Sequence, residues 1–307
     1  MANISAKDVM ELRKKTGCGM MECKKALVET EGNFDEAIKY LREKGLAVAA
    51  KKADRIAAEG VVDILSENGV TAIIEVNAET DFVAKNASFQ EFVKGILKTI
   101  VANKPATLEE LNALNYNGTE VTVEAELKNM IFTIGENMSI RRFDIITGTT
   151  GCYIHGGGSA GVVTKFDTDV DASSPAFVEY AKNVCMQIAA MSPSYVDRDC
   201  VPATVIENEK AILLTQIEND ENLSKKPDAV KEKMVIGRIS KFYDNNCLVD
   251  QEYVKDSDLT VGKYTENVAK ELGGSIKITA FVKYERGEGI EKKEDNFAEE
   301  INKLVNG

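Results

Sequence analysis

The chain has 307 residues, of which 44% are hydrophobic, and a formal net charge of −12. This length allows two or three domains, and the hydrophobic content is too high for a disordered chain. No run of eighteen consecutive apolar residues occurs in the sequence, so no transmembrane helix is expected. An acidic chain whose basic runs are short is disfavoured as a nucleic-acid binder, so a protein partner is the better expectation.

The first 45 residues are predicted to form three short helices. Ser5 can cap the first helix and Gly17 is a typical helix stop. The second helix begins near Met20, and Asn33 caps a third helix that Gly45 ends. A core of this size is marginal alone, so we expect the unit to dock on a larger body.

The rest of the chain contains an internal repeat. Residues 46–59, rich in alanine and lysine, are predicted to be a partly helical linker to it. The amphipathic pattern that begins near Phe89 recurs near Phe177, with matching apolar residues at a constant offset. Each half is predicted to pair this helix with strands, which makes two related α+β subdomains. The predicted strands are residues 70–76 and 139–146 in the first half and 161–166 and 275–284 in the second.

An insertion and a tail complete the predicted organisation. Residues 194–247 contain two long helical patterns joined by a polar stretch, which predicts an antiparallel helical hairpin. After a glycine-rich segment at residues 287–289, interpreted as flexible, residues 295–305 are predicted to form a short amphipathic helix that can dock separately.

A glycine-rich string at residues 155–161 suggests a hydrolase but lacks the order that such an enzyme needs. The string holds both an HGGG sequence and a G-x-S-x-G match, which occupy different loops in α/β-hydrolases. The only histidine, His155, also precedes Ser159 instead of following it. A turn that leads into a buried strand is therefore favoured over a serine hydrolase.

The sequence offers no convincing metal site. The six cysteines are scattered without a C-x-x-C pair, and one histidine is present, so we expect free thiols in a reducing compartment. The acidic run at residues 167–171 resembles the start of a calcium loop, but Ala172 and Val178 stand where that loop needs glycine and glutamate. We therefore predict no cofactor, and a cytoplasmic protein because the first residues resemble no signal or transit peptide.

The most suggestive segment is Thr80-Asp81-Phe82-Val83, which follows an apolar strand and precedes a helix. Phe82 can be a core plug, which is the default for an aromatic residue. It can also be an aromatic that projects from a rigid loop into a partner's pocket. The residues alone leave both interpretations open.

Five segments together resemble the elongation factor Ts family, and they occur in the family's order along essentially the whole chain. They are residues 16–27 (TGCGMMECKKAL), 77–84 (NAETDFVA), 134–142 (IGENMSIRR), 153–156 (YIHG) and 287–292 (GEGIEK). One departure is that Ser159 and Ala160 stand where the family usually has arginine and isoleucine.

The resemblance implies an α+β fold. It consists of a ubiquitin-associated-like three-helix domain, a linker, a duplicated core, an inserted helical hairpin that serves as a dimerisation module, and a C-terminal helical module. The three-helix domain corresponds to residues 1–45 and the linker to residues 46–59. The two core subdomains are residues 60–148 and 149–290, and the second contains the hairpin at residues 194–247. The C-terminal module is residues 291–307.

The resemblance also implies a partner and a function. The partner is elongation factor Tu, in GDP-bound and nucleotide-free forms, and the function is guanine nucleotide exchange without catalysis of a covalent step. In the family an Asp-Phe pair enters the partner beside its magnesium and phosphates. The implied partner-binding residues are Thr80, Asp81, Phe82 and Val83 at that site, Arg13, Met20 and Met21 near the guanine side, and His155 and Gly156 toward a more distant domain.

Three alternatives compete with this function. The first is a chaperone-like paralogue that binds elongation factor Tu without promoting exchange, which the presence of Asp81 and Phe82 disfavours. The second is a hydrolase that uses Ser159. The third is a ubiquitin-type binding module built on residues 1–45, which leaves the large duplicated core without a purpose.

Overall fold

The computed structural model describes residues 4–291 and combines helices with antiparallel sheets. The predicted α+β class is confirmed at that level. The helix predicted at residues 295–305 lies outside the described residues, and the proposed domain boundaries stay predictions. Within the described range, no helix combines the length and the apolar character that a membrane span requires.

Three helices open the described chain: α1 (Ala6–Thr16), α2 (Met20–Glu29) and α3 (Phe34–Lys52). The Ser5 hydroxyl accepts a hydrogen bond from the Asp8 amide, and Gly17 ends α1 with a φ of 70°. Asn33 caps α3 as predicted. Local capping chemistry therefore specifies these helix ends.

The prediction that Gly45 ends the third helix is wrong, because α3 continues to Lys52. Gly45 is buried, and a Cβ on it would lie 3.5 Å from the Cβ of Phe132 in helix α7 (Val123–Ile134). The glycine allows a close helix contact instead of breaking the helix. The first half of the predicted linker is consequently helical, and the three-helix unit packs on the core through α3 and α7.

The first sheet has the order β1-β2-β3, with all neighbours antiparallel. A helical connection joins its second and third strands. The strands are β1 (Glu59–Glu67), β2 (Val70–Ala78) and β3 (Met138–Thr147), and the connection contains α4 (Asp81–Ala84), α5 (Ala87–Asn103), α6 (Leu108–Ala113) and α7.

The second sheet has the order β4-β5-β8 and the same antiparallel pattern. Its second and third strands are again joined through helices. The strands are β4 (Thr149–His155), β5 (Ala160–Thr168) and β8 (Ile276–Glu285), and the connection contains α8 (Pro175–Met191), α9 (Ala203–Asn219), α10 (Asp228–Asn246), β6 (Glu252–Tyr253), β7 (Asp256–Thr260) and α11 (Val261–Glu271).

The helices predicted near Phe89 and Phe177 are α5 and α8, and both aromatic rings are buried. Each helix ends in a left-handed residue, Lys104 in α5 and Ser192 in α8. A β-bulge interrupts β2–β3 pairing after Glu75 and β5–β8 pairing after Lys165. The two halves of the core thus share their strand order, helix packing and bulge.

The two sheets stack face to face between layers of helices. Every residue of β2 is buried, because alternate side chains face α5 and the second sheet. Ile74 packs in the first helix-covered core, whereas Ile73 packs against Val163 and Tyr284 of the second sheet. This double burial also places the polar side chains of Thr71, Glu75 and Asn77 in the interior.

The inserted helices α9 and α10 pack on each other as the sequence predicts. Their shared core consists of Leu213, Ile217, Val235 and Ile239. The base of the hairpin is closed where the amides of residues 194 and 195 both donate to the carbonyl of Asn246. The hairpin therefore has its own core, separate from those of the two sheets.

The interpretation of residues 287–289 as a flexible segment is wrong. The Gly287 amide donates to the buried carboxylate of Glu75 at 2.8 Å, and backbone hydrogen bonds close a turn from Glu285 to Ile290. The glycine with a φ of 70° lets the chain turn against Ala58, where a Cβ would meet the carbonyl oxygen at 2.2 Å. This segment is an anchored turn.

Candidate partner-binding surface

Residues 79–85, which we name the Phe82 loop, connect β2 to α5 and contain the four-residue helix α4. Thr80 is the N-cap of α4, and its hydroxyl accepts a hydrogen bond from the Val83 amide at 3.4 Å. An acidic residue, Asp81, follows in the first turn, where the helix dipole favours negative charge. Local sequence thus explains why the chain turns here.

Phe82 is 80% exposed and is the most exposed large hydrophobic residue in the described chain. Its neighbours Val83 and Ala84 are buried in the core of the first sheet. The core-plug interpretation of Phe82 is therefore wrong. An apolar ring held in solvent by buried neighbours contributes little to folding and is available to a partner.

Asp81 presents a charged carboxylate beside the ring. Lys85, four residues later, donates a hydrogen bond to it at 2.6 Å, and this bond holds the pKa of Asp81 below its ordinary value. About half of the Asp81 side chain remains exposed. The tip of the loop therefore combines an aromatic ring with a fixed negative charge.

The Phe82 loop is fastened to the turn between α7 and β3. The amide and the hydroxyl of Thr80 donate to the two carboxylate oxygens of Glu136 at 3.0 and 2.8 Å. In return, the Asn137 amide donates to the carboxylate of Glu79. The contact of Glu136 with Thr80 was not predicted from the sequence, although Glu136 lies inside the segment 134–142 that resembles the family.

The four predicted residues of this loop therefore differ in what they present. Asp81 and Phe82 face solvent, whereas Val83 is buried and Thr80 is occupied by the cap and by Glu136. Thr80 and Val83 hold the loop in place, and its outer surface is formed by Asp81 and Phe82.

The predicted N-terminal residues lie on the surface of the three-helix unit. Arg13 is exposed near the end of α1, and Met20 and Met21 are exposed in the first turn of α2. Met10 is also exposed, by 61%, and sequence reasoning missed it. The available signal was its position outside the α1 stripe that buries Val9.

His155 and Gly156 lie at the turn between β4 and β5. His155 is exposed, and its Nδ1 lies 3.0 Å from the hydroxyl of Tyr153. Gly156 has a φ of 54°, and the turn is held on the first sheet because the Val62 amide donates to the Gly158 carbonyl at 2.8 Å. Both α4 and this turn adjoin β1.

The hydrolase alternative finds no support in the geometry. The Ser159 hydroxyl donates to the backbone carbonyl of His155 at 3.1 Å, while the His155 ring faces Tyr153. Within residues 4–291, the His155 imidazole is therefore not placed to act as a base for Ser159. The predicted glycine-rich turn before a buried strand is confirmed, since Gly156, Gly157 and Gly158 all adopt positive φ.

The acidic run after β5 is occupied by backbone contacts. Asp169 accepts a hydrogen bond from the Ser275 amide, and Asp171 accepts one from Ser173. Among residues 4–291, no group of three or more His, Cys, Asp or Glu side chains is arranged to hold a metal ion. The six cysteines are free, as predicted.

Comparison with known proteins assigns the family. The family model described as Elongation factor TS matches residues 79–288 of the chain. A protein named Elongation factor Ts from Syntrophotalea carbinolica is 48% identical over 301 residues, which cover 97% of this chain and 98% of the relative. The chain belongs to the elongation factor Ts family. Relatives of the same name from Clostridium kluyveri and Clostridium perfringens are 48% and 47% identical and cover 98% or more of both chains.

The match to the elongation factor Ts family includes the parts of the surface described above. The family model begins at Glu79, the first residue of the Phe82 loop, and ends at residue 288, within the anchored turn. The relatives also cover the N-terminal helices that the family model leaves out. The resemblance seen in five separate segments is thereby confirmed over nearly the whole chain.

Proposed function

We propose that this chain is a guanine nucleotide exchange factor of translation elongation, which binds elongation factor Tu and promotes the release of its GDP. Membership of the elongation factor Ts family supports this function. The observation that carries the mechanism is the exposed Phe82 ring, held away from the chain's own core. No covalent bond is made or broken in this action.

In the proposed action, Phe82 inserts into elongation factor Tu beside its magnesium and phosphate site. Magnesium bridges nucleotide phosphates to protein oxygens, so displacement of the groups around it weakens the nucleotide. Asp81 brings a negative charge next to the ring, and its low pKa keeps that charge at neutral pH. A negative charge near the phosphates opposes their retention.

Exchange by this route obeys thermodynamic linkage. A factor that lowers the affinity for GDP must itself bind the GDP-loaded partner less tightly, by the same ratio. A coupling of about 3 kcal/mol corresponds to roughly a hundredfold faster release if it lowers the exit barrier equally. A few contacts between the Phe82 loop and elongation factor Tu can supply a coupling free energy of this size.

Two further contacts are proposed to hold the partner while Phe82 acts. Met20 and Met21, with Arg13, offer a flexible apolar surface with a positive charge, which suits a helix near the guanine side. His155 and Gly156 offer a rigid turn toward a more distant domain. Because such remote contacts stabilise the bound states alike, they raise the affinity for the partner without changing the maximal rate of release.

We also propose that the hairpin α9–α10 supports a homodimer and that the protein works in the cytoplasm, where translation elongation takes place. Apolar side chains remain exposed on the hairpin after its own packing, namely Ile212, Leu214, Val230 and Ile236. Exposed apolar residues of this kind are consistent with a second copy as the partner.

The exchange function is tested by stopped-flow release of a fluorescent GDP analogue from elongation factor Tu. We expect wild-type chain to accelerate release at saturation, and Phe82→Ala to lose at least about tenfold of that acceleration. No acceleration by wild-type chain that still binds the partner would favour the chaperone-like alternative. Full acceleration by Phe82→Ala would reject the insertion of Phe82 beside the magnesium site, which we call the wedge action.

A further inference from the structure

The ends of the central strands, β2 and β5, are each held by a hydrogen bond from a backbone amide to a carboxylate. After β2, the carboxylate of Glu79 accepts a hydrogen bond from the Asn137 amide next to β3. After β5, the carboxylate of Asp169 accepts one from the Ser275 amide next to β8, at 2.6 Å. Glu79 and Asp169 stand directly after corresponding strands. This repeated contact closes the fold and is independent of Phe82.

A second contact exists only in the half that carries Phe82. There the carboxylate of Glu136 accepts both hydrogen bonds from Thr80. The next residue after Asp169 is Val170, and the residue before Ser275 is Gly274, so this pair lacks polar side chains. A Cβ on Gly274 would lie 2.6 Å from Val170. The second half closes without this contact.

The chemistry of Glu136 suits a role in orienting α4. A hydroxyl has one hydrogen to donate and lone pairs to accept. Because a carboxylate only accepts, Glu136 fixes the Thr80 hydrogen on itself and leaves a lone pair for the Val83 amide. That amide belongs to α4, which has four residues and is too short to be stable alone.

We propose that Glu136 is a positioning residue for exchange, which acts through Thr80 to fix α4 and thereby the direction in which Phe82 projects. The inference rests on the proposed exchange function. It assigns to Glu136 an effect on the rate of GDP release from the bound complex, with a small effect on binding of the partner.

The test uses Glu136→Gln in the full-length chain and measures GDP release at increasing factor concentration. Glutamine keeps the size and one acceptor oxygen, but its amide group donates toward the Thr80 hydroxyl and competes with the cap. We expect the maximal release rate to fall about tenfold while the half-saturating concentration changes less than about twofold.

Asp169→Asn is the matched control. It makes the same change from carboxylate to amide, at the hydrogen bond with the Ser275 amide that has a counterpart in the first half. We expect it to keep the wild-type maximal rate, whatever it does to the melting temperature. A second variant, Thr80→Val, removes the hydroxyl and should reproduce the loss seen with Glu136→Gln. This variant decides the question if Glu136→Gln does not fold.

A double mutant separates positioning from general damage. In a Phe82→Ala background, Glu136→Gln should cause no further loss of rate, because the residue it orients is absent. A wild-type maximal rate for Glu136→Gln, an equal loss for Asp169→Asn, or a full additional loss in the double mutant would each overturn the inference. A wild-type rate for Phe82→Ala alone would reject the wedge action itself and the inference with it.

Discussion

At the level of single residues, Phe82 and Phe89 differ sharply in burial although only seven positions separate them. Phe82 is 80% exposed, whereas Phe89 is fully buried at the start of α5. Both belong to the same connection between β2 and β3. Phe82 holds an apolar ring in solvent, whereas Phe89 fills the core of the first sheet.

We predict that alanine at these two phenylalanines affects stability to very different extents. Phe82→Ala should change the free energy of unfolding by less than about 0.5 kcal/mol, because an exposed side chain gains little from folding. Phe89→Ala should lower it by about 3–5 kcal/mol through lost burial and a cavity. Denaturant unfolding of both variants measures this, and a large loss for Phe82→Ala would show that the ring supports the fold.

The exposed methionines of α2 are predicted to act on binding instead of release. Met21→Ala should raise the half-saturating concentration several-fold and leave the maximal GDP-release rate unchanged, since a remote contact stabilises the bound states equally. Met191→Ala is the control, because Met191 is also exposed but lies at the end of α8. A fall in the maximal rate for Met21→Ala would contradict the division of roles.

The sequence predicts the identity of the loop residues better than their orientation. Asp81 and Phe82 follow a clear strand, yet a phenylalanine at that point can face inward or outward. The burial of Val83 and Ala84 decides the question. Because these two residues of α4 face the core, Phe82 faces solvent. Glu136 is brought to Thr80 only by the three-dimensional fold, so the sequence spacing of 56 residues gives no hint of the contact.

At the scale of elements, helix ends were predictable where their cause is local. Gly17 and Asn33 mark real helix ends because a left-handed turn and a side-chain cap act within a few residues. Gly45 misled the prediction because its role depends on Phe132, which is distant in sequence. The prediction that residues 287–289 are flexible failed for the same reason, because Gly287 is held by Glu75, which is distant in sequence.

The hairpin is predicted to be dispensable for the core and for exchange. Replacement of residues 203–245 by a short glycine-serine linker should leave the melting temperature of the core within a few degrees, because α9 and α10 have their own core and a closed base. The maximal rate of GDP release should also be unchanged.

Light scattering of the intact and shortened chains tests the proposed homodimer in the same experiment. We expect a dimer for the intact chain and a monomer after removal of the hairpin. A dimer that persists without the hairpin would place the contact elsewhere, and a loss of exchange would give the hairpin a direct part in the function.

At the scale of the whole molecule, a buried ionic cluster joins the first sheet to the end of the second. Glu75 is fully buried on β2 and receives hydrogen bonds from Arg141 at 3.0 Å and Arg142 at 2.7 Å. Burial acts to raise the pKa of Glu75, but hydrogen bonds from Gly287, Asn77 and the two arginines outweigh it and hold the pKa below its ordinary value.

This cluster predicts a specific acid sensitivity. Because the pKa of Glu75 is lower in the folded state than in the unfolded state, its contribution is complete above the unfolded pKa and is lost as pH falls below about 5. Glu75→Gln should lower the free energy of unfolding by about 3 kcal/mol at pH 7. The difference from wild type should shrink toward pH 3 in denaturant unfolding, and a difference independent of pH would contradict this.

The sequence predicts a recurring helix pattern in the two halves, but it does not predict the stacking of the two sheets. Buried positions such as Phe89 and Phe177 recur along the chain because each half buries the same helix face. The face of β2 that carries Ile73 and Glu75 packs on the second sheet, which only the tertiary structure shows. That face also carries Thr71 and Asn77, so its sequence pattern is that of a solvent-exposed face and does not reveal its burial.

Phe82 is proposed to couple the binding of this chain by elongation factor Tu to the loss of GDP from elongation factor Tu. Titration calorimetry can measure four affinities: of this chain for GDP-bound and nucleotide-free elongation factor Tu, and of GDP for elongation factor Tu with and without the chain. We predict that GDP and the chain weaken each other by one common ratio, and that this ratio falls toward one in Phe82→Ala. A Phe82→Ala chain that keeps the wild-type ratio would contradict the account.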